Sequence, residues 1–260
     1  MMRFQGLSVL LTGATGGFGL STARRMAAEG ARFVLSDLDQ GKLDAMAADL
    51  DAECVCIAGD VTDPSLHRQL VAAAEDRFGG LDIAINNAGI SHAPGRMPEI
   101  SEADARRTIE VDLLGVLWAM QAQLPAMEAR FLKTGAKAAI VNIASLAGVA
   151  GAPTISVYAA AKHGVVGLTR SAAAEYARKG IRVNAVCPAF ARTPMVELGL
   201  LRRGVGIDPA EAEKRLVRGV PMRRLGTPDE VTQAIAFAAA PENGFMTGQT
   251  ITIDGGVTAV

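Results

Sequence analysis

Thr12-Gly13-Ala14-Thr15-Gly16-Gly17-Phe18-Gly19 is the stretch whose reading decides the fold. An apolar run, Leu7 to Leu11, leads into it, and an amphipathic stretch, Leu20 to Glu29, leaves it. It therefore reads as the turn of a strand–turn–helix unit. Glycine allows a sharp backbone turn and a close approach that a side chain would block. The N–H groups at the start of the following helix are then free to hold a pyrophosphate. The spacing is G-x-x-x-G-x-G through Gly13, Gly17 and Gly19, not the commoner G-x-G-x-x-G. A glycine turn alone is a weak signal; its place in the first strand–helix unit strengthens it.

The same alternation continues to the end of the chain. Further apolar runs read as strands: Arg32 to Ser36, Cys54 to Ala58, Ile83 to Asn86, Ala138 to Ala144, Arg182 to Cys187 and Thr250 to Ile253. Between them, helical patterns cover Gln40 to Leu50, Ser65 to Phe78, Ala103 to Met127, Ser156 to Arg178 and Pro228 to Ala239. Strand–helix alternation predicts an α/β fold, a Rossmann-type doubly wound parallel sheet of about seven strands with helices on both faces. The nearly continuous apolar strands suit a sheet covered on both sides. No linker or repeat divides residues 1–260, so a single dinucleotide-binding and catalytic domain is expected. Residues 194–220 break the rhythm and read as a substrate loop or lid.

Bulk properties narrow the function. The chain has 26 basic and 27 acidic residues, a net charge of −1, and no basic run. Binding to nucleic acid or to an anionic membrane is not expected. Its three cysteines, Cys54, Cys56 and Cys187, are too few for a disulfide scaffold, and with three histidines no metal site is expected. Cys54 and Cys56 should share one face of their strand as reduced core thiols. With no signal-like segment and no long apolar span, a cytoplasmic location is expected.

Asp37 ends the second strand, 18 residues after Gly19, with Leu38 beside it. A carboxylate there accepts hydrogen bonds from ribose hydroxyls and repels a 2′-phosphate. No arginine follows directly in Ser36-Asp37-Leu38-Asp39-Gln40, so NAD is expected rather than NADP. A capping role for the next helix suits Asp39 better. Downstream, Tyr158 and Lys162 are four apart on one predicted helix face, and Ser145 follows the fifth strand. A lone Y-x-x-x-K means little.

Taken in order, the glycine turn, Asp37, Asp60-Val61, Asn86-Asn87-Ala88-Gly89, Ser145, Tyr158/Lys162, Arg182 to Val186, Pro188 to Thr193 and Asp254-Gly255-Gly256 form a specific set. By these the chain resembles the short-chain dehydrogenase/reductase family over essentially its whole length. The resemblance implies hydride transfer between a secondary alcohol and its ketone, with Tyr158 exchanging the hydroxyl proton. A free phenol titrates near ~10, so the charges of Lys162 and of an oxidised nicotinamide would favour the phenolate. Lys162 would also hold the nicotinamide ribose, and Ser145 would orient the substrate oxygen. Gly13, Thr15, Gly17, Phe18, Gly19, Asp37, Leu38, Asp60, Val61, Asn87, Ala88, Gly89, Pro188 and Thr193 are the remaining implied cofactor contacts. Asp60 and Val61 would meet the adenine, Asn87 to Gly89 would lie under its ribose, and Pro188 and Thr193 would anchor the carboxamide.

Two positions depart from the family's pattern. Asp112 stands where Asn is usual, the residue whose carbonyl holds a water behind the lysine in relatives. Asp keeps the shape and the carbonyl, loses an amide donor and adds a charge, so activity is expected to survive with a shifted pH profile. Ala189 replaces the usual Gly after Pro188. Two rival readings remain. Gly13, Gly16 and Gly19 fit the G-x-x-G-x-x-G of extended-type sugar-nucleotide epimerases, but fewer than a hundred residues follow Lys162, too few for their substrate domain. A sensor or scaffold protein without catalysis would usually lack the Tyr/Lys pair. Met97, Leu146, Phe190, Met195, Leu198 and Leu200 lie where relatives build the pocket, so an apolar or aromatic alcohol or ketone is expected; Arg202-Arg203 would suit an acidic tail. The helix from Ser156 to Arg178 and the one carrying Leu113, Leu117 and Trp118 are apolar on most sides, and relatives pair them in homotetramers, which are expected here.

Overall fold

The computed structural model describes residues 2–197 and 208–260. Seven strands form one parallel sheet: β1 (Ser8–Thr12), β2 (Arg32–Ser36), β3 (Cys54–Cys56), β4 (Ile83–Asn86), β5 (Ala138–Ile143), β6 (Ile181–Pro188) and β7 (Thr250–Ile253). Their order is β3-β2-β1-β4-β5-β6-β7. The direction of winding reverses between β1 and β4, which opens a crevice at their carboxyl ends, where doubly wound sheets bind ligands. The expected strands are all present, with ends displaced by a residue or two; β3 is shorter than expected, ending at Cys56.

Side-chain alternation along the strands builds a core on each face. Leu11, Phe33 and Leu35 join one core with Met26 and Ile235. Leu10 and Val34 join the other with Leu70, Met120 and Val165. Cys54 and Cys56 pack on the first core and Val55 on the second, and both thiols are free, as the two-residue spacing predicts. The helices over the first face are α1 (Gly17–Ala27), α2 (Gln40–Ala48) and, later in the chain, Pro228–Ala239. The second face carries α3 (Pro64–Phe78), α5 (Gly115–Thr134) and α6 (Ser156–Tyr176), with α4 (Glu102–Ile109) leading into α5.

Two helices differ from expectation for identifiable reasons. Helix α1 begins at Gly17, three residues before Leu20, because glycines carry no hydrophobic periodicity to read. The helix expected from Ala103 to Met127 is α4 and α5 joined by a π-helical segment, Glu110–Leu114. That wider turn admits one extra residue, a feature often found at functional sites. Residues 194–197 are helical, and Pro209–Leu216 forms α7, capped by Asp208. Leu198, Leu200, Arg202 and Arg203, all part of the expected lid, lie outside the described residues. The helix Pro228–Ala239 is therefore α8.

Polar groups inside the fold are paired where they fix the helices. Asn86 of β4 exchanges hydrogen bonds with Gln123 of α5 and donates to Asn142 of β5 at 2.8 Å. Asn142 in turn donates to Thr169 of α6 at 2.9 Å. This chain of amides ties α5 and α6 to the sheet from within, and losing one member would leave a buried partner unsatisfied at a cost of about 1–3 kcal/mol. Arg182 donates to the carbonyls of Ala238, Ala239, Ala240 and Met246, closing the C-terminal end of α8. Among the described residues no helix is long and apolar enough to cross a membrane.

Candidate active site

The glycine turn is held at van der Waals limits. Gly13 has φ +62°, a left-handed conformation, and a Cβ there would lie 2.8 Å from Ala88 Cα. A Cβ on Gly19 would lie 2.2 Å from the Gly13 carbonyl oxygen, and one on Gly17 would lie 2.9 Å from Thr193 Cγ2. Gly16 is less crowded, its nearest neighbour being 3.3 Å away. The crowded positions are thus those of the G-x-x-x-G-x-G reading. The turn is a ledge packed against Ala88 and Thr193 that leads into α1, whose first N–H groups have no side-chain cap and can hold a pyrophosphate.

Neighbouring strand ends are stapled to this turn. Asn87 Nδ2 donates to the carbonyls of Thr12 and Gly13, and the N–H groups of Asn87 and Ala88 both donate to Thr12 Oγ1. At the end of β2, Asp37 Oδ2 accepts from both the N–H of Thr15 (2.9 Å) and its hydroxyl (2.6 Å). Asp37 Oδ1 accepts from the N–H of Leu38, whose side chain is exposed. Asp39, not Asp37, caps α2, accepting from Lys42 N–H as the sequence predicts. Asp37 is therefore fixed over the glycine turn, with acceptor capacity left on Oδ1. Asp60 accepts from Thr62 through Oδ1 and from Arg107 through Oδ2 at 2.8 Å; partial burial pushes its carboxyl up, but the Thr62 N–H, then Arg107, hold it below the ordinary value. Phe18 packs against the first core.

At the carboxyl ends of β5 and β6 a second cluster forms. Ser145, in extended backbone, opens a short 3-10 turn (Leu146–Gly148), and its Oγ accepts from Ala147 N–H at 3.1 Å. The turn sits tightly on α6 because Gly148 has no side chain; a Cβ there would lie 2.7 Å from the Lys162 carbonyl oxygen. Tyr158 and Lys162, one turn apart on α6, face this loop, with Lys162 Nζ 5.6 Å from the centre of the Tyr158 ring. The buried Lys162 ammonium donates to Ile143 O at 3.1 Å and lies 3.6 Å from Asp112 Oδ1. Behind them the Cys187 thiol, interacting with the Ser145 backbone, is pushed up to about 11 by burial. Thr193 is buried against Gly17, so the glycine turn and the loop after β6 meet.

The charges in this cluster oppose one another. Burial raises the Tyr158 phenol above its ordinary value; the Lys162 charge and a hydrogen bond with Ser145 pull it down, and Asp112 pushes it up. In this state burial outweighs the lysine. Burial alone would lower Lys162, but the Asp112 carboxylate, with Tyr158 and Cys187, raises it above the ordinary lysine value. A phenol beside a fixed ammonium, with a hydroxyl in reach, can exchange a proton with an alcohol or carbonyl oxygen.

The apolar residues expected around a substrate are less gathered. Met97, Phe190 and Met195 are exposed. A cavity of about 330 Å³ is lined by Phe190, Val220, Met222, Arg224 and Asp254 among others, but not by Ser145, Tyr158 or Lys162. Gly148 and the direct contact of Asp112 with Lys162 were not expected from sequence. The only hint of the first was a small residue three after Ser145, and of the second the substitution at position 112.

The family model adh_short_C2, described as enoyl-(acyl carrier protein) reductase, matches residues 13–258, spanning both clusters. The chain belongs to the short-chain dehydrogenase/reductase family. It is an oxidoreductase of that family, and its sheet order and helix layers are those of the Rossmann-type members. It is 40% identical over 253 residues to cis-4-hydroxycyclohexanecarboxylate dehydrogenase of Sinomonas cyclohexanicum, covering 96% of each chain. It is 38% identical over 261 residues to cyclohexanol dehydrogenase of Acinetobacter sp. (strain SE19), covering 99% of this chain and 97% of that one. The crystal structure of levodione reductase superposes with a TM-score of 0.94 at 35% identity, covering 99% of this chain and 100% of the other. Asp112 lies in the π segment with its side chain turned inward. Ala189 donates its N–H to Ile253 O at 2.9 Å and lines the cavity above.

Proposed function

We propose that this chain is an NAD-dependent dehydrogenase that interconverts a secondary alcohol, carried on a saturated ring, and its ketone. The observation that carries the reading is the placing of Tyr158 beside buried Lys162 and Ser145, one loop away from the glycine ledge. The residues present fit a dinucleotide. The ledge at Gly13, Gly17 and Gly19 leaves no room for side chains, and Asp37 is oriented by Thr15 as an acceptor for ribose hydroxyls. Thr15, Phe18 and Leu38 would border that end, Asp60 and Val61 the adenine, Asn87 to Gly89 the floor, and Pro188 and Thr193 the carboxamide. When bound, the nicotinamide supplies the hydride acceptor or donor.

The protein's own groups would handle the oxygen. Ser145 hydroxyl orients the substrate oxygen, and Tyr158 Oη takes its proton as the alcohol is oxidised or returns it as the ketone is reduced. Lys162 holds the nicotinamide ribose and favours the phenolate. The ring preference rests on the likeness to enzymes named for cyclohexanol and for cis-4-hydroxycyclohexanecarboxylate. The whole chain would act as one domain.

The test is NADH formation with cyclohexanol, cis-4-hydroxycyclohexanecarboxylate and open-chain secondary alcohols. Turnover with the ring alcohols and NAD is expected; no turnover with any of them defeats the reading. We also propose a homotetramer built on α5 and α6, whose outer faces are rich in small and apolar residues. Light scattering should give the mass of four chains, and a monomer mass would remove that part.

A further inference from the structure

The π segment Glu110–Leu114 directs Asp112 into the interior beside Lys162, and both side chains are almost fully buried, with 0% and 4% of their surface exposed. Several features seat this pair. Asp112 Oδ1 accepts from Ile90 N–H at 2.9 Å. Gly89 leaves the space they fill, since a Cβ there would lie 2.7 Å from Asp112 Oδ1 and 3.2 Å from Lys162 Nζ. Asp112 Oδ2 and His92 Nε2 are both buried without a hydrogen-bond partner, while His92 Nδ1 is held on Ala93 O at 2.8 Å. A buried carboxylate is costly unless a charge sits beside it. Here that charge is the lysine one turn from Tyr158.

We propose that Asp112 is a positioning residue that acts through Lys162 to set the pH at which Tyr158 gives up its proton. The inference rests on the reading of Tyr158 as the acid/base. The ionisable groups around Tyr158 are Lys162 on the same helix, Asp112 from the π segment and Cys187 at the end of β6, with His92 from the loop after β4 beside Asp112; burial pushes the Asp112 carboxyl up, and the Lys162 charge pulls it back. With Asp112 ionised, its charge cancels that of Lys162, and forming the phenolate leaves the cluster with a net negative charge in a poorly solvated place. With a neutral residue at 112, forming the phenolate cancels the lysine charge instead. The second case is easier in a low-dielectric interior. Asp112 raises Tyr158 in the same sense. Its benefit is on Lys162, which stays charged and anchored although it is buried. The carboxylate thus trades acidity at Tyr158 for a fixed ammonium.

Only two tyrosines occur in the chain, Tyr158 and Tyr176. In a Tyr176→Phe background, tyrosinate absorbance therefore reads Tyr158 alone and needs no turnover. Asp112→Asn is expected to lower the tyrosinate midpoint by about one pH unit. The rising limb of the pH profile of NAD-linked kcat/KM for cyclohexanol should move by the same amount toward acid. Asp112→Ala, which removes the charge without adding an amide, should shift both in the same direction, so the inference does not depend on one variant folding well. Midpoints and limbs that stay in place or move upward overturn it. A tyrosinate shift in a protein that oxidises no alcohol keeps the electrostatic inference and removes the catalytic reading of Tyr158. Turnover with both readouts unmoved does the reverse.

Discussion

Tyr158→Phe is expected to lower NAD-linked kcat/KM by about three orders of magnitude, within the range general acid–base groups contribute. That corresponds to about 4 kcal/mol of lost transition-state stabilisation. The phenylalanine ring keeps the volume of Tyr158, so only the Oη that is proposed to exchange the proton is removed, with its hydrogen bond to Ser145. Neither Ser145 nor Lys162 can substitute: an aliphatic hydroxyl gives up a proton far less readily than a phenol, and Lys162 is held by Ile143 O and Asp112. The loss should fall on kcat, because a group that acts on the reacting proton contributes little to ground-state binding. NAD affinity, measured by titration calorimetry, should change no more than a few-fold, since the glycine ledge and Asp37 are untouched. Unchanged turnover would remove Tyr158 from the chemistry. Lost turnover together with lost NAD binding would make its role one of cofactor positioning.

Much of this site was legible because its signals are local. Gly13 and Gly19 are crowded by backbone and Gly17 by the Thr193 side chain, and a turn that close to its neighbours writes glycine into the sequence at those spacings. The strands were readable because both faces of the sheet are covered, which keeps nearly every strand position apolar. Asp39 as the cap of α2 followed from its place one residue before the pattern.

What stayed hidden depends on relations between distant segments. The π segment changes the helical register by one residue, and Glu110-Val111-Asp112-Leu113-Leu114 still scans as amphipathic helix. Asp112 could be recognised as unusual, but that its carboxylate reaches Lys162 depends on that bulge and on Gly89 lying opposite. The chain of amides through Asn86, Gln123, Asn142 and Thr169 was equally out of reach, since no single member shows which buried group it pairs with. The side of the site that would choose a substrate was the least readable, because pocket shape comes from loops with weak local patterns.

Asp37→Ser is expected to change the ratio of NAD- to NADP-linked kcat/KM by about 10²–10³-fold, almost removing the discrimination without reversing it. Two effects add. NAD loses charge-assisted hydrogen bonds from its ribose hydroxyls, each worth about 1.5–3 kcal/mol. NADP loses the repulsion between the Asp37 carboxylate and a 2′-phosphate carrying close to two negative charges, a term that solvent reduces because Asp37 is only part-buried. The structure adds a third contribution. The N–H and hydroxyl of Thr15 both donate to Asp37 Oδ2 at 2.9 and 2.6 Å. Once the carboxylate is gone they are free, at the mouth of the glycine turn, to meet a phosphate. Full reversal is not expected, because no arginine follows Asp37 to pair with that phosphate. Steady-state kinetics with both cofactors on one alcohol decide the matter. A ratio that moves less than tenfold would show that selection lies elsewhere, and Asp37 would then be only an anchor for the glycine turn through Thr15. Adding Thr15→Val to Asp37→Ser separates the two contributions. If the freed hydroxyl matters, the double variant should lose part of the gain in NADP-linked efficiency, keeping the share due to relieved repulsion and to the Thr15 N–H, while the weakened use of NAD stays.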